Sequence, residues 1–291
     1  MKVLILGKGF IGTRLEKHLA DLEYEVDCIS KEDVDYTDTR ELEEYVYWQG
    51  LDVIINASGY TGSPNVDACE DDKNNTWKYN VKVPYDIYKV CEENAVKMIH
   101  ISSGCIYDGY DKPFTEEDVP NFGLWSDYSS WYSTTKHAGE MMLEDTKAYI
   151  MRIRMPFCGD NTSRNILVKL LQYDNIISMN NSLTGIEDFC EFIDKFISRI
   201  DTLTPGIYNV VNPDPVNGED IIDILTGYGI CNPDWNIITL DELYEKHTKA
   251  NRSNCTLNTD KISKLDLELP NTINSLERQV RKLSVELKPF Q

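Results

Sequence analysis

The segment Gly7-Lys8-Gly9-Phe10-Ile11-Gly12 limits the fold more than any other in the chain, because it follows the apolar run Val3–Leu6 directly and opens the amphipathic stretch Thr13–Leu22. Glycine at those three positions lets a strand turn sharply into a helix, lets a ligand approach the backbone, and lets helix and strand pack closely. The helix N-terminus then offers N–H groups to an anion. Strand, glycine turn and helix in that order predict a βαβ unit that holds a dinucleotide at Gly7, Gly9, Phe10, Ile11 and Gly12. An ordinary strand-to-helix turn is the plainer alternative, and the rest of the chain weighs against it.

The same alternation continues. Val26–Ile29, Val53–Asn56 and Met98–Ser102 read as short buried strands, and Arg40–Trp48 and Thr76–Asn94 have helical spacing and are long enough for right-handed crossovers. That pattern predicts an α/β fold built on a doubly wound parallel sheet. Further on, Tyr149–Met155 reads as a strand and Trp131–Thr146, Asn165–Gln172 and Ile186–Ile200 as helices, the last introduced by a capping box, Thr184-Gly-Ile-Glu187. Nothing repeats and no Gly/Ser-rich linker cuts the chain. The expected division is a first domain over 1–160 and a smaller C-terminal lobe over 161–291, some of whose elements return to the first.

Composition narrows the partners. Against 29 Lys and Arg stand 49 Asp and Glu, a net charge of −20, which repels nucleic acid and anionic membrane surfaces at long range. A small anion can still be held by a few local cations and backbone N–H groups. The first apolar run is far too short for a signal peptide and no stretch reaches the roughly 18 apolar residues of a membrane span, so a cytoplasmic location is expected. The eight cysteines form no CxxC pair and read as free thiols, and the four scattered histidines give no metal-ligand spacing.

Three segments carry candidate chemistry. Where the second strand ends, an acid would suit the ribose 2′-OH of NAD, but Ser30-Lys31 stands there ahead of Glu32 and Asp33; a hydroxyl and an ammonium suit a 2′-phosphate, so NADPH is expected over NADH. Tyr132-Ser-Thr-Thr-Lys136 sets a phenol and an ammonium on one helix face, where the cation favours phenolate and the phenol can pass a proton to a carbonyl oxygen. Ser103-Gly104-Cys105 leaves the fourth strand at its C-terminal edge; if the chain stays extended, Ser103 and Cys105 face one side. The polar and aromatic stretch Pro113–Ser130 reads as a long loop able to cover a ligand.

Together, Gly7-x-Gly9-x-x-Gly12, Asn56-Ala57-Ser58-Gly59, Ser103 and Tyr132-x-x-x-Lys136 resemble the extended short-chain dehydrogenase/reductases. More narrowly, Gly59-Tyr-Thr-Gly-Ser-Pro-Asn-Val-Asp67, Gly104-Cys-Ile-Tyr107, Glu117-Asp-Val-Pro-Asn-Phe122, Arg152-Ile-Arg-Met-Pro156 and Asn251-Arg-Ser-Asn254 resemble the bifunctional nucleotide-rhamnose synthase/epimerase-reductase family. The resemblance implies 3,5-epimerisation of a UDP- or dTDP-4-keto-6-deoxyglucose followed by NADPH reduction of the 4-ketone. It implies Ser103, Tyr132 and Lys136 as the reductase set, with Cys105 and Lys169 as the epimerase pair. By the same resemblance the cofactor meets Ser30, Lys31, Asn56, Ala57, Ser58, Gly59 and Met155 beside the glycine loop, and the sugar nucleotide meets Thr61, Asn65, Gly104, Asn165 and Arg252, with Arg164 nearby. A Rossmann domain with a substrate-binding lobe is the implied fold; assembly as a homodimer stays open. Lys8 inside the glycine loop and Ser63, where the family often has Arg, are departures. Three other readings stay open: a GDP-fucose synthase-like enzyme, which typically has histidine at position 169; a dTDP-4-dehydrorhamnose reductase-like enzyme without epimerase activity; and a non-catalytic NADP-binding regulatory subunit.

Overall fold

The computed structural model describes residues 1–231 and 235–287. Six parallel strands form the central sheet: β1 (Lys2–Leu6), β2 (Glu25–Ile29), β3 (Val53–Asn56), β4 (Lys97–Ser103), β5 (Tyr149–Ile153) and β6 (Gly206–Asn209). Their spatial order is β6-β5-β4-β3-β1-β2. From β1 the chain goes one way to β2 and then back across to β3, so the direction reverses between β1 and β3, and a ligand crevice lies at the C-terminal ends of such strands. The expected α/β doubly wound sheet is the fold found.

Both faces of the sheet are covered, which is why its strands are nearly continuous in apolar residues. On one side α1 (Gly12–Asp21) and α2 (Thr39–Gln49) lie on opposite faces; Leu15 and Leu19 of α1 pack with Val3, Ile5 and Ile55, whereas Leu42 and Val46 of α2 pack with Leu4, Leu6 and Ile54. Alternate residues of one strand thus serve different cores. The predicted helix over Thr76–Asn94 is broken: Lys73–Trp77 is α-helical, Lys78–Lys82 forms a π-helical turn, and α3 (Val83–Glu93) begins with Pro84 in its first turn, where a missing N–H does no harm. The catalytic-motif helix α4 (Trp131–Leu143) is capped by Ser130, whose hydroxyl accepts from the Ser133 N–H.

The later chain contributes to the same core. Helix α5 (Ile186–Ser198) sends Phe189, Ile193, Phe196 and Ile197 onto the sheet, and the Phe196 ring meets Tyr149 and Tyr208 edge-on at 5.3 and 5.2 Å. The expected capping box at its start is not formed. Gly185 is the N-cap; the Thr184 hydroxyl instead donates to Val210 O and accepts the Arg154 N–H, while Glu187 pairs with Lys282. Tertiary partners outcompeted the local ones. A separate core joins Leu167, Ile176, Ile221 and Leu225 to Leu276, Val280 and Leu283 of the C-terminal helix α6 (Thr272–Glu286). The expected loop over Pro113–Ser130 starts later, since Gly109–Phe114 pairs as a strand with Cys255–Leu257.

Candidate active site

At the glycine loop the three glycines have separate physical reasons. Gly7 has φ of +107°, and a Cβ there would come within 3.0 Å of the Ser58 backbone; a Cβ on Gly12 would meet Gly7 O at 2.1 Å. Around Gly9 a Cβ would meet nothing within 4 Å, so its glycine leaves room beside the helix start instead of satisfying the chain's own packing. No side chain caps α1. Bare amides at the end of a helix, reached through a loop without side chains, suit a pyrophosphate.

At the end of β2, Ser30 donates to Asp33 through both its N–H and its hydroxyl, at 2.8 and 3.0 Å, and Lys8 reaches the same carboxylate at 2.9 Å. The Lys8 hydrogen bond, followed by those from Ser30, holds the Asp33 carboxyl down at about 2. Lys8 therefore links the glycine loop to the β2 end, and an acid does stand beside Ser30. Lys31 is exposed and lies 5.6 Å above the Tyr79 ring. At the end of β3, Asn56 is fully buried and accepts from the Ser58 N–H and hydroxyl. Ala57 continues the β3 pairing toward Leu6. Gly59 lies against Asn80, whose amide bridges the Tyr60 backbone to the Thr135 hydroxyl of α4. Asn80 was not anticipated; inside a helical pattern a lone Asn gives no signal of burial.

The reductase candidates converge. Lys136 is buried and donates to Ile101 O at 3.2 Å. Burial brings its ammonium down to about 8, against the opposing pull of Glu140 and then Cys105. Tyr132, one turn earlier, is pushed well up by burial and by the neighbouring Cys105 thiol, while a hydrogen bond with Ser103 pulls it back. Contrary to the extended path expected, the chain bends at Gly104, and the Cys105 N–H donates to the Ser103 hydroxyl at 3.2 Å. Ser103, Cys105, Tyr132 and Lys136 still meet in one place, at the C-terminal edge of β4. Behind them Arg152 and Glu140 form a buried pair at 2.7 Å, which Ser102 and Tyr107 complete with hydrogen bonds.

Among the described residues no hydrogen bond joins Lys169 to Cys105; the cation that reaches the thiol is Arg154, whose Nη1 lies 3.4 Å from Sγ. The following residue, Met155, is held at φ of +40°, an unusual conformation for a side chain preceding proline and a mark of local strain beside the site. Lys169 is lowered by burial and by Arg164 and Arg252, so three cations share one neighbourhood. Of these, Arg164 donates to the Thr61 hydroxyl at 2.8 Å, and Arg252 forks onto both Asp67 oxygens at 2.8 Å. Asn65 accepts the Asp67 N–H and so orders the loop that carries this carboxylate. Asn165 is fully buried with its amide engaged by Cys158, Asp160 and Leu167, which makes it a brace for the loop. Gly104 leaves no room for a Cβ, which would meet Leu257 at 2.5 Å.

Chemically, this arrangement offers an acid phenol beside a cation, a hydroxyl donor, a thiol beside a guanidinium, and a cationic patch suited to a diphosphate. All eight cysteines are unpaired. Among the described residues no helix is long and apolar enough to cross a membrane.

The profile of the RmlD substrate binding domain family matches residues 1–188. A bifunctional dTDP-4-dehydrorhamnose 3,5-epimerase/dTDP-4-dehydrorhamnose reductase of Arabidopsis thaliana is 32% identical over 238 residues, covering 78% of this chain and 75% of that protein. From the same plant, the trifunctional UDP-glucose 4,6-dehydratase/UDP-4-keto-6-deoxy-D-glucose 3,5-epimerase/UDP-4-keto-L-rhamnose-reductase RHM1 is 32% identical over 239 residues. That match covers 78% of this chain but 34% of RHM1, so the chain spans about a third of that relative's length. The crystal structure of the L780 UDP-rhamnose synthase from Acanthamoeba polyphaga mimivirus has a TM-score of 0.87 at 27% identity, covering 97% of this chain and 99% of that one. By the family profile over residues 1–188 and the 32% identity to the bifunctional Arabidopsis enzyme, the chain belongs to the RmlD-like extended short-chain dehydrogenase/reductases.

Proposed function

We propose that the chain is an NADPH-dependent 3,5-epimerase/4-reductase that converts UDP-4-keto-6-deoxy-D-glucose to UDP-L-rhamnose. The observation that carries this reading is the meeting of Cys105 with Ser103, Tyr132 and Lys136 at one sheet edge, since a simple reductase has no use for the thiol. The names of the L780 and Arabidopsis relatives support the substrate class. NADPH is preferred over NADH on Lys31, an exposed ammonium at the end of β2 suited to a 2′-phosphate, since Lys8 and Ser30 are engaged by Asp33. Residues 1–160 hold the cofactor and 161–291 mainly the sugar nucleotide, with Arg164 and Arg252 on the side of its diphosphate and Lys169 toward the sugar.

Hydrogens at C3 and C5 are acidified through the 4-ketone. Cys105 as thiolate takes one of them: an S–H bond forms, the C–H bond breaks, and its electron pair moves onto the carbonyl oxygen, where Tyr132 and Ser103 donate. Lys169 returns a proton to the carbon from the other face, and both groups then re-equilibrate with solvent. When bound, NADPH supplies the hydride for C4. Tyr132 gives its phenolic proton to O4, with Lys136 stabilising the phenolate left behind.

The test follows NADPH oxidation and product configuration with UDP- and dTDP-4-keto-6-deoxyglucose in parallel. UDP-L-rhamnose is the expected product. Tyr132→Phe should lower reduction by about 10²–10⁴-fold, and Cys105→Ala should abolish inversion. Reduction without inversion by the unmodified chain would replace this reading with a 4-reductase, and preference for the dTDP sugar would change its nucleotide.

A further inference from the structure

Arg154 is 1% exposed, and the partners of its guanidinium are of an unusual kind. Nη2 donates to Asn181 Oδ1 at 2.5 Å and to Ser253 O at 2.6 Å; Nη1 donates to Ser253 Oγ at 2.8 Å and lies 3.5 Å from Gly104 O and 3.4 Å from Cys105 Sγ. Nε is buried without a partner. Among the described residues every hydrogen-bond partner is neutral, apart from the one ionisable thiol. Arg152, two residues earlier and inside β5, has the carboxylate of Glu140. A buried cation without a counter-ion is strongly unfavourable, so a chain that keeps one there gains from a neighbour that can become an anion.

We propose that Arg154 is the positioning residue that makes Cys105 a thiolate: its guanidinium is the fixed counter-cation for the base of the epimerisation step. The role deepens the epimerase reading and rests on it for its use, but the thiol–guanidinium pair is a property of the protein without substrate. Other charged or titratable groups face the pair. Tyr132 and Lys136 of α4 face Cys105, and Asp108, Tyr110 and Cys255 lie about Arg154. Asp108 and Cys255 are the rivals for the cation. Burial raises the Asp108 carboxyl, the Asn254 N–H that it accepts and then Arg154 draw it down, and among the described residues it makes no hydrogen bond to the guanidinium. Cys255 is fully buried and its own thiol donates to Gly104 O, whereas Cys105 is only partly covered and open to a ligand. Lys136 adds positive charge, but its ammonium is committed to Ile101 O. The sequence hint was two arginines at alternate positions in an apolar strand, Arg152-Ile-Arg154, which places charge where only a partnered or functional cation belongs.

The experiment is the rate of alkylation of Cys105 at pH 6.5 by iodoacetamide, a neutral probe, followed by mass spectrometry of the Cys105 peptide. In the unmodified protein Cys105 should react about tenfold or more faster than an exposed thiol in a free peptide. Arg154→Met should lower the rate about tenfold or more, and Arg154→Lys should recover part of the difference. A rate no faster than that of the peptide thiol in the unmodified protein, or an unchanged rate in a folded Arg154→Met variant, overturns the proposal. If the variant does not fold, the unmodified protein alone decides. Turnover separates this result from the function: Arg154→Met should lose at least tenfold more in deuterium uptake at C3 and C5 than in reduction of an already inverted 4-keto-L-rhamnose nucleotide, and equal losses would overturn the positioning role. Absence of all turnover in the unmodified enzyme would sink the epimerase reading but leave the alkylation result standing.

Discussion

At the scale of single residues the site holds a charge that the fold would be more stable without. Burial takes the Lys136 ammonium from 10.5 to about 8, which corresponds to about 3 kcal/mol at neutral pH. The sign follows from proton counting. Between pH 8 and 10.5 the unfolded chain binds more proton than the folded one, so the penalty is full below about pH 8 and fades as pH rises toward 10.5. Lys136→Met should therefore abolish reduction yet stabilise the cofactor-free protein by about 1–3 kcal/mol at pH 7, net of the lost bond to Ile101 O. Urea melts at pH 7 and pH 10 check this: the gain should shrink at the higher pH, and equal gains would show that burial of charge is not its source. At this scale the sequence disclosed Tyr132, Lys136, Ser103 and Cys105 through their motifs. It disclosed neither Asn80 nor the guanidinium over Cys105, because both act through contacts more than 40 residues away along the chain.

At the scale of elements, the glycine loop separates stability from binding. Gly12→Ala puts a methyl 2.1 Å from the Gly7 carbonyl and should cost about 1–3 kcal/mol. Gly9→Ala meets nothing and should leave the melting temperature nearly unchanged while weakening NADPH binding tenfold or more, since the free space is where a pyrophosphate would approach. Thermal melts beside NADPH fluorescence titrations distinguish the two; a destabilised Gly9→Ala, or one that binds normally, would undo this division of labour. Five of the six sheet strands were legible to within a residue or two, because parallel strands covered on both faces read as apolar runs; the edge strand β6 (Gly206–Asn209), four residues long, was not read. Helix ends were less so. The Thr184–Glu187 capping box was outcompeted by Val210, Arg154 and Lys282, and the helix predicted over Thr76–Asn94 breaks into three, with the π turn that carries Asn80 in the middle.

At the scale of the whole molecule, a net charge of −20 surrounds a site built to take anions. Local cations hold the ligand, but the distant surface repels it on approach, and salt screens that long-range part first. NADPH association should therefore be faster at 0.15 M than at 0.01 M ionic strength, as read by stopped-flow fluorescence; a rate that falls steeply with salt would mean that the local cations also govern the encounter. The central claim is that one pocket carries out both inversion and reduction. NMR of the reaction of UDP-4-keto-6-deoxyglucose with NADPH in heavy water tests it most directly. The account predicts UDP-L-rhamnose with deuterium at both C3 and C5; a reduced sugar with neither deuterium nor inversion at those carbons would contradict it.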